Sequence, residues 1–345
     1  MCIVCDGRDQ NSTRTMTENE FLLEDRLGVI RDTIRKYGEE NFYLSFSGGK
    51  DSTVLHHLLD MAVPGNNIPR VFSNTGIEFN AVVEFVKGLN DPRVIIIHPK
   101  KNVRQTLEKV GYPFKSKEYS NWVKVYQKHA DRIDPYFEEI NNNPDLLKDW
   151  EYVHNLPVNV KYIVCQFYGV RERERELHTF GQVVPNKLKY QFNQDFKLKV
   201  SDQCCMEFKE KPLKDWQKEH GIAYMMLGIM QEEGGRRETA KCVVFKNNKM
   251  TRFQPLAKVS KEWENWFIEK YNIKLCKLYY PPYNFARTGC KGCPYNIHIS
   301  EELETLKKTL PNEYEQCNII WKPVYNEYRR IGYRKMKPEE QMTLF

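Results

Sequence analysis

The residue types best suited to chemistry stand together in one short segment, which reads Ser-Gly-Gly-Lys-Asp-Ser over residues 47–52 and which we call the phosphate loop. Gly48 and Gly49 allow backbone N–H groups to approach an anion closely, and the start of a following helix adds partial positive charge. Lys50 supplies a full positive charge, and Asp51 is suited to cap the helix or to help hold Mg²⁺. Three hydroxyls are available for phosphate oxygens: Ser47, Ser52 and Thr53.

Four cysteines form the second group. Cys204 and Cys205 are adjacent, and 84 residues later Cys290 and Cys293 enclose Lys291, which we expect to neutralise negative charge. Two close pairs bind one metal centre well because each pair supplies two sulfurs at short range. Adjacent cysteines suit tetrahedral zinc poorly, since neighbouring side chains point apart, and a four-iron cluster accepts them more easily. We therefore expect an iron–sulfur cluster here, with structural Zn²⁺ or no metal as alternatives.

The remaining cysteines are expected to be unreactive. Cys2 and Cys5 form a third pair, but no histidine or further pair lies near them, so we expect them to be without a metal. Cys317 stands in a segment with the pattern of an amphipathic helix, which favours packing over a role as nucleophile. Three others lie among apolar residues and are interpreted as small buried side chains: Cys165, Cys242 and Cys276.

The elements that must position these residues alternate between strand and helix. This rhythm predicts an α/β fold with a doubly wound, mostly parallel sheet, whose ligands bind at the carboxyl ends of the strands. Residues 117–157 break the rhythm and are interpreted as a helical insertion. Predicted strands cover 42–46, 70–73, 93–97 and 223–229. Predicted helices cover 17–37, 51–61, 80–89, 103–110, 160–180, 207–219 and most of 300–332.

The sequence divides into three expected segments. Residues 1–16 form a flexible start, residues 17–260 form a nucleotide-binding α/β domain with its insertion, and residues 261–345 form a C-terminal helical module that contains the second cysteine pair. The net charge of +7 suits an anionic ligand and tolerates nucleic acid without requiring it. No apolar run approaches the ~20 residues of a membrane span, and no signal-peptide pattern follows Met1. We therefore expect a cytoplasmic protein with no membrane interaction and with reduced thiols.

Three motifs together resemble a known family over roughly residues 20–300. The phosphate loop resembles the PP-loop of the adenine nucleotide alpha-hydrolase superfamily. Residues 72–79 are similar to the second-strand motif of the phosphoadenylyl-sulfate (PAPS) reductase family, with Asn74-Thr75-Gly76 where that family usually has Asp-Thr-Gly. Residues 227–233 resemble its later Gly-Ile-Arg motif, with Met230 in place of the arginine. The resemblance implies an adenine-nucleotide site that includes Asn74, Thr75, Gly76 and Gly228, and in which Arg236 or Arg237 contacts the anion.

The resemblance also bears on the cluster and the reaction. The cysteine spacing resembles that of adenylyl-sulfate (APS) reductases, whose members carry a [4Fe-4S] cluster next to the nucleotide. The intact phosphate loop favours cleavage of ATP to AMP and pyrophosphate, catalysed by Lys50, Asp51 and Arg236 or Arg237, to activate an acceptor for sulfur transfer. That reading implies tRNA, DNA or a sulfur-donor protein as partner.

Two alternatives stay open. One is an APS or PAPS reductase that releases sulfite and uses a thioredoxin-like reductant, although the sequence lacks the Glu-Cys-Gly-Leu-His motif that carries the family's nucleophile. The other is a regulatory protein that binds the nucleotide without turnover.

Overall fold

The computed structural model describes residues 16–173, 175–179, 183–234 and 237–337. Its α-helices are α1 Glu18–Tyr37, α2 Lys50–Ala62, α3 Asn80–Gly88, α4 Val103–Val110, α5 Lys117–Asn142, α6 Trp150–Asn155, α7 Val158–Tyr168, α8 Lys211–Glu219, α9 Lys261–Lys270, α10 Ile299–Thr309, α11 Pro311–Ile320 and α12 Lys322–Arg330. Its strands are β1 Phe42–Ser45, β2 Arg70–Ser73, β3 Val94–Ile97, β4 Val170–Arg173, β5 Glu176–Thr179, β6 Tyr224–Met226, β7 Val243–Lys246 and β8 Lys249–Phe253.

Six of these strands form one sheet in the order β3-β2-β1-β6-β8-β7. Strand β1 pairs in parallel with both β2 and β6, β6 pairs in parallel with β8, and only the hairpin partner β7 is antiparallel among the pairs described. Phe42, Tyr43 and Leu44 of β1 are completely buried, as expected for a central parallel strand covered on both faces. The predicted α/β fold with a mostly parallel sheet is confirmed.

The chain forms two compact units, each built from separated stretches of sequence. The first unit comprises residues up to Val71, Asp91–Ile95 and His220–Leu275, and it contains the phosphate loop and α9. The second comprises Phe72–Asn90, Ile96–Glu219 and the residues from Cys276 onward, and it contains the predicted insertion and both cysteine pairs. The three sequence segments predicted above stay a prediction. No helix in the described ranges is both long and apolar enough to cross a bilayer.

Most predicted elements lie where the patterns placed them, but the helix predicted over 160–180 is wrong in its second half. Helix α7 ends at Gly169, which adopts a left-handed conformation (φ 75°, ψ 34°) and donates its N–H to the carbonyl of Cys165. Glycine reaches this conformation without the steric penalty of a side chain, so the helix stops there. The chain continues as the antiparallel pair β4 and β5.

The sequence reasoning also missed the hairpin of β7 and β8. Its turn is Asn247-Asn248, and both residues have positive φ angles of 50° and 58°. Two-residue hairpin turns need positive φ at both positions, and asparagine tolerates it better than most residues. The Asn-Asn pair was therefore the available signal for this turn.

A buried ion network anchors α2 to the strands that follow it. The guanidinium of Arg70 is fully buried and donates to Asp60 Oδ1 at 2.6 Å and to Asn66 Oδ1 at 2.7 Å. Arg93 donates to both carboxylate oxygens of Asp60, at 2.7 and 3.0 Å. Burial alone would raise the pKa of Asp60, but the hydrogen bond from Arg93 and the charge of Arg70 hold that pKa below its usual value.

The same network explains a group of possible metal ligands. Among the described residues, His56, Asp60 and Asp91 form the one set of three such side chains whose ligand atoms lie within 4.8 Å of one another. Both carboxylates are already bound by arginine, since Arg93 also donates to Asp91 at 2.7 Å. Burial and the charge of Arg70 lower the pKa of His56 to about 4, so its imidazole is neutral at pH 7. This group is a structural ion network.

Replacing the shared carboxylate should destabilise the fold. We expect Asp60→Asn to lower the free energy of unfolding by about 2 kcal/mol, because Arg70 would keep a buried charge without its counterion, while the one-third exposure of Asp60 moderates the loss. Urea unfolding followed by circular dichroism measures this. The control is Asp32→Asn, whose pair with Arg35 is about three-quarters exposed on both sides and should change stability by less than about 0.5 kcal/mol. Equal effects of the two substitutions would contradict the prediction.

Candidate functional site

The phosphate loop lies between the end of β1 and the first turn of α2. Gly48 has a positive φ of 68°, which favours glycine, and Gly49 is the extended residue that precedes the helix. The loop is closed on itself, because the N–H of Ser47 donates to Ser52 Oγ at 3.2 Å and the two serine hydroxyls lie 3.0 Å apart. No side chain caps the start of α2, so the N–H groups there face the position expected for an anion.

The predicted hydroxyl ligands have different environments. Ser47 is exposed. The hydroxyls of Ser52 and Thr53 both donate to the carbonyl of Gly49, at 3.0 and 2.9 Å, and Thr53 is only 1% exposed. Thr53 therefore holds the loop in shape from inside, whereas Ser47 presents its hydroxyl at the surface.

Helix α9 brings a carboxylate to the phosphate loop that the sequence reasoning missed. Glu264 is 2% exposed and hydrogen-bonds Asp51, while its Oε1 atom has no hydrogen-bond partner among the described residues. Burial and the negative charge of Asp51 raise the pKa of Glu264 to about 8, although Lys50 opposes the rise. Lys50 also donates from Nζ to Asn265 Oδ1 at 3.3 Å. The loop lysine thus lies beside two carboxylates rather than one.

A signal for Glu264 was present in the sequence. It stands between two bulky residues that lie on the buried side of α9, Trp263 and Phe267. A charged residue on such an apolar face is uncommon unless it is paired or functional. Helix α9 itself was not predicted, so this position was not recognised.

Gly228 packs directly against the start of α2. A Cβ atom at this position would lie 2.8 Å from the carbonyl oxygen of Asp51 and 3.1 Å from the backbone nitrogen of Ser52. These atoms belong to the backbone, so they cannot move aside without shifting the loop. The structure therefore brings the later motif and the phosphate loop together, as the resemblance implied.

Of the two arginines predicted to contact the anion, the structure describes only Arg237. Arg236 lies outside the described residues. Arg237 forms an ion pair with Glu233, a carboxylate whose charge also contributes to the raised pKa of Glu264. Arg237 is therefore part of the same electrostatic group in the first unit, and its side chain is 41% exposed.

In the second unit, the motif that follows β2 is a compact turn. The N–H and hydroxyl of Thr75 both donate to Glu78 Oε2, at 2.7 and 2.6 Å. Asn74 Oδ1 accepts the N–H of Gly76 at 3.2 Å, and Gly76 has a positive φ of 84°. The predicted ligand Thr75 thus has a buried side chain that positions Glu78.

The turn also positions the second cysteine pair. Glu78 and Cys290 form an isolated antiparallel bridge, and the N–H of Lys291 donates to the carbonyl of Ile77 at 2.8 Å. Burial raises the pKa of Cys290 to about 11. All four predicted metal ligands belong to this one unit.

The first cysteine pair is electrostatically asymmetric. The Sγ atoms of Cys204 and Cys205 are 3.9 Å apart, and the Cys204 thiol donates to Cys205. This hydrogen bond, with the charges of Lys117 and Lys209, lowers the pKa of Cys205 to about 6, whereas the same bond and burial raise the pKa of Cys204. The negative charge at Cys205 also interacts with Cys290, so the two pairs lie close enough to affect each other.

The lysine next to the second cysteine pair is Lys209, whereas we expected Lys291. Lys291 turns away from the cysteines and donates to Gln316 Oε1 at 2.5 Å, with Glu313 at 3.9 Å, so its expected role is wrong. Lys209 hydrogen-bonds Cys290 and lies 3.5 Å from Glu78 Oε1. The side chain of Lys291 points from the Cys-Lys-Gly-Cys loop towards α11, which carries both Gln316 and Glu313, and so it does not reach the sulfurs.

The remaining cysteines are partly as predicted. Cys317 is completely buried on α11, where it meets Gly292 so closely that a Cβ on that glycine would lie 2.7 Å from its sulfur. Cys276 is buried as expected, but Cys165 and Cys242 are only half-buried. Cys242 hydrogen-bonds Arg26. Cys2 and Cys5 lie outside the described residues.

Residues 41–140 and 161–296 match the model of the phosphoadenosine phosphosulfate reductase domain. The chain belongs to this domain family. The matched ranges contain the phosphate loop, the Thr75 turn, Gly228 and all four cysteines. The predicted family is thereby confirmed. No curated protein sequence matches the chain.

The solved structures to which this chain is similar share little sequence identity with it. A PAPS reductase from Candida auris, solved with phosphate, is 12% identical over 76% of this chain and 91% of its own, with a TM-score of 0.38. A U34-tRNA thiolase from Methanococcus maripaludis, solved with its [4Fe-4S] cluster, is 15% identical over 94% and 84%, with a TM-score of 0.35. An NH3-dependent NAD synthetase from Campylobacter jejuni, in complex with nitrate, is 11% identical over 90% and 96%, also with a TM-score of 0.35.

The contact between buried Glu264 and half-buried Asp51 predicts a pH-dependent effect of substitution. A carboxyl whose pKa is raised on folding contributes least to stability above that raised pKa, because folding then requires burial of its charge. We expect Glu264→Gln, measured in EDTA, to raise the free energy of unfolding by about 2 kcal/mol at pH 9 and by less than about 1 kcal/mol at pH 5.

The matched control is Glu262→Gln, an exposed position on the same helix, which should have little effect at either pH. Urea titrations at both pH values make the measurement. A Glu264→Gln protein that is less stable than the parent at pH 9 would contradict the prediction.

Proposed function

We propose that this protein binds ATP at the phosphate loop and cleaves it to AMP and pyrophosphate, activating an acceptor for sulfur transfer. The observation that carries the proposal is the group formed by Lys50, Asp51 and Glu264. A lysine next to two carboxylates, of which Glu264 is buried and Asp51 half-buried, suits a ligand that brings both phosphate and Mg²⁺. A sulfonucleotide has no β,γ-phosphates and makes no such demand.

The residues of the loop fit a metal ion. Glu264 Oε1 is a buried carboxylate oxygen without a hydrogen-bond partner in the described residues, and oxygen ligands are those that Mg²⁺ prefers. Asp51 and Glu264 would hold the ion, whose positive charge offsets the negative charge of the β- and γ-phosphates when bound. In this proposal the two acids lie together because a divalent cation compensates both.

The remaining steps follow from the chain's own groups. An acceptor oxygen forms a bond to the α-phosphorus while the bond from that phosphorus to the α,β-bridging oxygen breaks, and the electron pair leaves with pyrophosphate. Lys50 and the N–H groups at the start of α2 bind the leaving pyrophosphate, with Ser47 as a further donor. Arg237, or Arg236 beside it, offsets charge in the transition state. A sulfur nucleophile then displaces AMP from the activated acceptor.

We further propose that Cys204, Cys205, Cys290 and Cys293 hold a [4Fe-4S] cluster. Two thiolates on one zinc ion at 2.3 Å would be about 3.8 Å apart. The 3.9 Å between Cys204 and Cys205 matches that spacing, but no three cysteine sulfurs in the described part of the chain lie within 4.8 Å of one another, as a complete zinc site would require, which favours the larger centre. Lys209 at Cys290 would offset thiolate charge around it.

Membership of the PAPS reductase domain family favours sulfonucleotide reduction as the second candidate. Such a reaction needs a thiolate that attacks sulfur. Cys317 is unsuited to this because it is fully buried and burial raises its pKa to about 12. This supports ATP cleavage as the first candidate.

Removal of the loop lysine tests the ATP reaction. We expect Lys50→Ala to lower the rate of pyrophosphate release from ATP and Mg²⁺, with RNA or DNA present as acceptor, by about 100-fold or more, since it removes a full positive charge beside the leaving group. A coupled pyrophosphate assay makes the measurement, with parallel incubations on APS and PAPS in which sulfite is measured. The control is Lys36→Ala, an exposed lysine of α1, which should retain the full rate.

Three outcomes would contradict the ATP reaction. Pyrophosphate release that survives Lys50→Ala would remove the loop from the chemistry. Thiol-dependent sulfite release without pyrophosphate would select the reductase. Tight nucleotide binding with no turnover of any of the three nucleotides would select the non-catalytic alternative.

Anaerobic purification tests the cluster. We expect a brown protein that absorbs at about 400 nm and carries about four irons per chain, and we expect Cys290→Ser to lose both the colour and the iron because one ligand is missing. Cys276→Ser, which changes a buried cysteine of the same unit, should keep them. A colourless protein with about one zinc per chain would overturn the cluster in favour of zinc.

A further inference from the structure

A cavity of about 790 Å³ in the second unit has five lysines among its fifteen lining residues. It lies between the end of α4, the first half of α5 and residues 193–203. One carboxylate, that of Asp131, is among its lining residues. The lysines are Lys109, Lys124, Lys128, Lys197 and Lys199. The lining therefore carries five positive charges against one negative charge.

The wall of this cavity is firmly built. Gln127 of α5 donates to the carbonyl of Leu198 at 2.8 Å and accepts the N–H of Val200 at 3.1 Å. On the other side, the N–H of Tyr112 donates to the carbonyl of Lys199 at 2.8 Å, and Tyr112 accepts the N–H of Ser201 at 2.9 Å. The segment 198–201 is therefore held on both sides, so its one lysine, Lys199, starts from a fixed backbone.

The charge of the cavity is only partly neutralised. Lys124 pairs with Asp202 at 2.6 Å. Lys199 and Lys197 donate to backbone carbonyls, which carry no net charge, of Lys109 and Gln194 respectively. A concave surface with excess positive charge raises the local concentration of anions. Lysine ammonium groups bind phosphate as point charges, without the fixed geometry of arginine.

An aromatic side chain accompanies the lysines. Phe196 lines the cavity, is half-buried, and stands between exposed residues of the 193–199 segment. Single-stranded nucleic acids bind where a positive groove follows the backbone and aromatic rings offer faces for the bases. A free phosphate or a small carboxylate would use one or two of the cations and leave the others unneutralised.

The same backbone segment leads to the first cysteine pair. Gln203 lines the cavity and immediately precedes Cys204. Its carbonyl accepts the N–H of Glu207, and its own N–H donates to Ser201 Oγ at 3.3 Å. A strand bound in the cavity would therefore lie beside the segment that carries Cys204 and Cys205.

We propose that this cavity binds the phosphodiester backbone of a single-stranded segment of nucleic acid, which is the acceptor that the protein modifies. The identity of the acceptor rests on the proposed function, but the binding itself does not.

Charge reversal in the cavity tests this proposal. Fluorescence anisotropy would measure binding of the purified protein to labelled 20-nucleotide RNA and DNA strands of the same sequence at several KCl concentrations. We expect Lys128→Glu/Lys197→Glu to weaken binding at least tenfold at about 0.1 M salt. The slope of log K against log[salt] should fall by about 1.4, or 0.7 for each lost phosphate contact. The two strands distinguish RNA from DNA as the preferred ligand.

The matched control is Lys307→Glu/Lys308→Glu, which makes the same change of charge on exposed residues at the end of α10 in the same unit. It should bind as the parent does, and circular dichroism should show that both variants melt at the parent's temperature. Equal loss in both double variants, or no salt-dependent binding by the parent, would overturn the proposal. Binding of ATP in the absence of nucleic acid should be unchanged in the cavity variant, so failure of the nucleotide site and failure of this site are distinguishable.

Discussion

The carboxylate of Asp60, shared between Arg70 and Arg93, is the interaction on which the geometry of the first unit depends. Burial of a guanidinium as complete as that of Arg70 is tolerated only with a counterion and satisfied N–H groups. Asp60 meets this requirement from the last part of α2, so the helix has one allowed position against the first residue of β2 and the residue before β3. The first turn of the same helix carries Lys50 and Asp51. The ion network at one end of α2 therefore helps to fix where the N–H groups of the phosphate loop lie at the other.

Glu264 is a carboxylate in the opposite electrostatic environment. Where Asp60 is neutralised twice, Glu264 lies beside a second carboxylate and keeps an oxygen without a hydrogen-bond partner in the described residues. Such an arrangement costs stability, and proteins keep unsatisfied groups mainly at functional sites. The close contact of Gly228 with Asp51 is a second constraint at this site, because only a residue without a side chain lets the backbone come so near the loop. Both features lower stability at the phosphate loop, whereas most later residues of α2 are buried in the core.

The sequence predicted the elements whose signals are local. The strands β1, β2 and β3 are short apolar runs, and the structure places them within one residue of the predicted bounds. The helix predicted over 160–180 failed because one glycine, Gly169, outweighed the apolar spacing around it. The candidate site was predictable only where residue types alone carry the chemistry, as in the phosphate loop and the cysteine pairs. The position of Lys209 depends on which side chains the tertiary fold turns inward, and no local pattern encodes that. Glu264 left a signal, an acid on an apolar helix face, but it could be recognised only once α9 itself was predicted.

The charges around the cysteines explain why metal loading and folding of this region should be coupled. Burial raises the pKa of Cys290 and of Cys293, so without a metal these two sulfurs are thiols at pH 7. The pKa of Cys205 is lowered because Cys204 donates a hydrogen bond to it and because Lys117 and Lys209 lie near it, so it would provide a first anionic ligand to the proposed centre. Glu78, held by Thr75, keeps Lys209 at the sulfurs and so prevents that cation from turning to solvent. Binding of the proposed metal centre would then displace the protons of the remaining thiols. Its positive charge would compensate the thiolate charge that exceeds the charge of the two lysines.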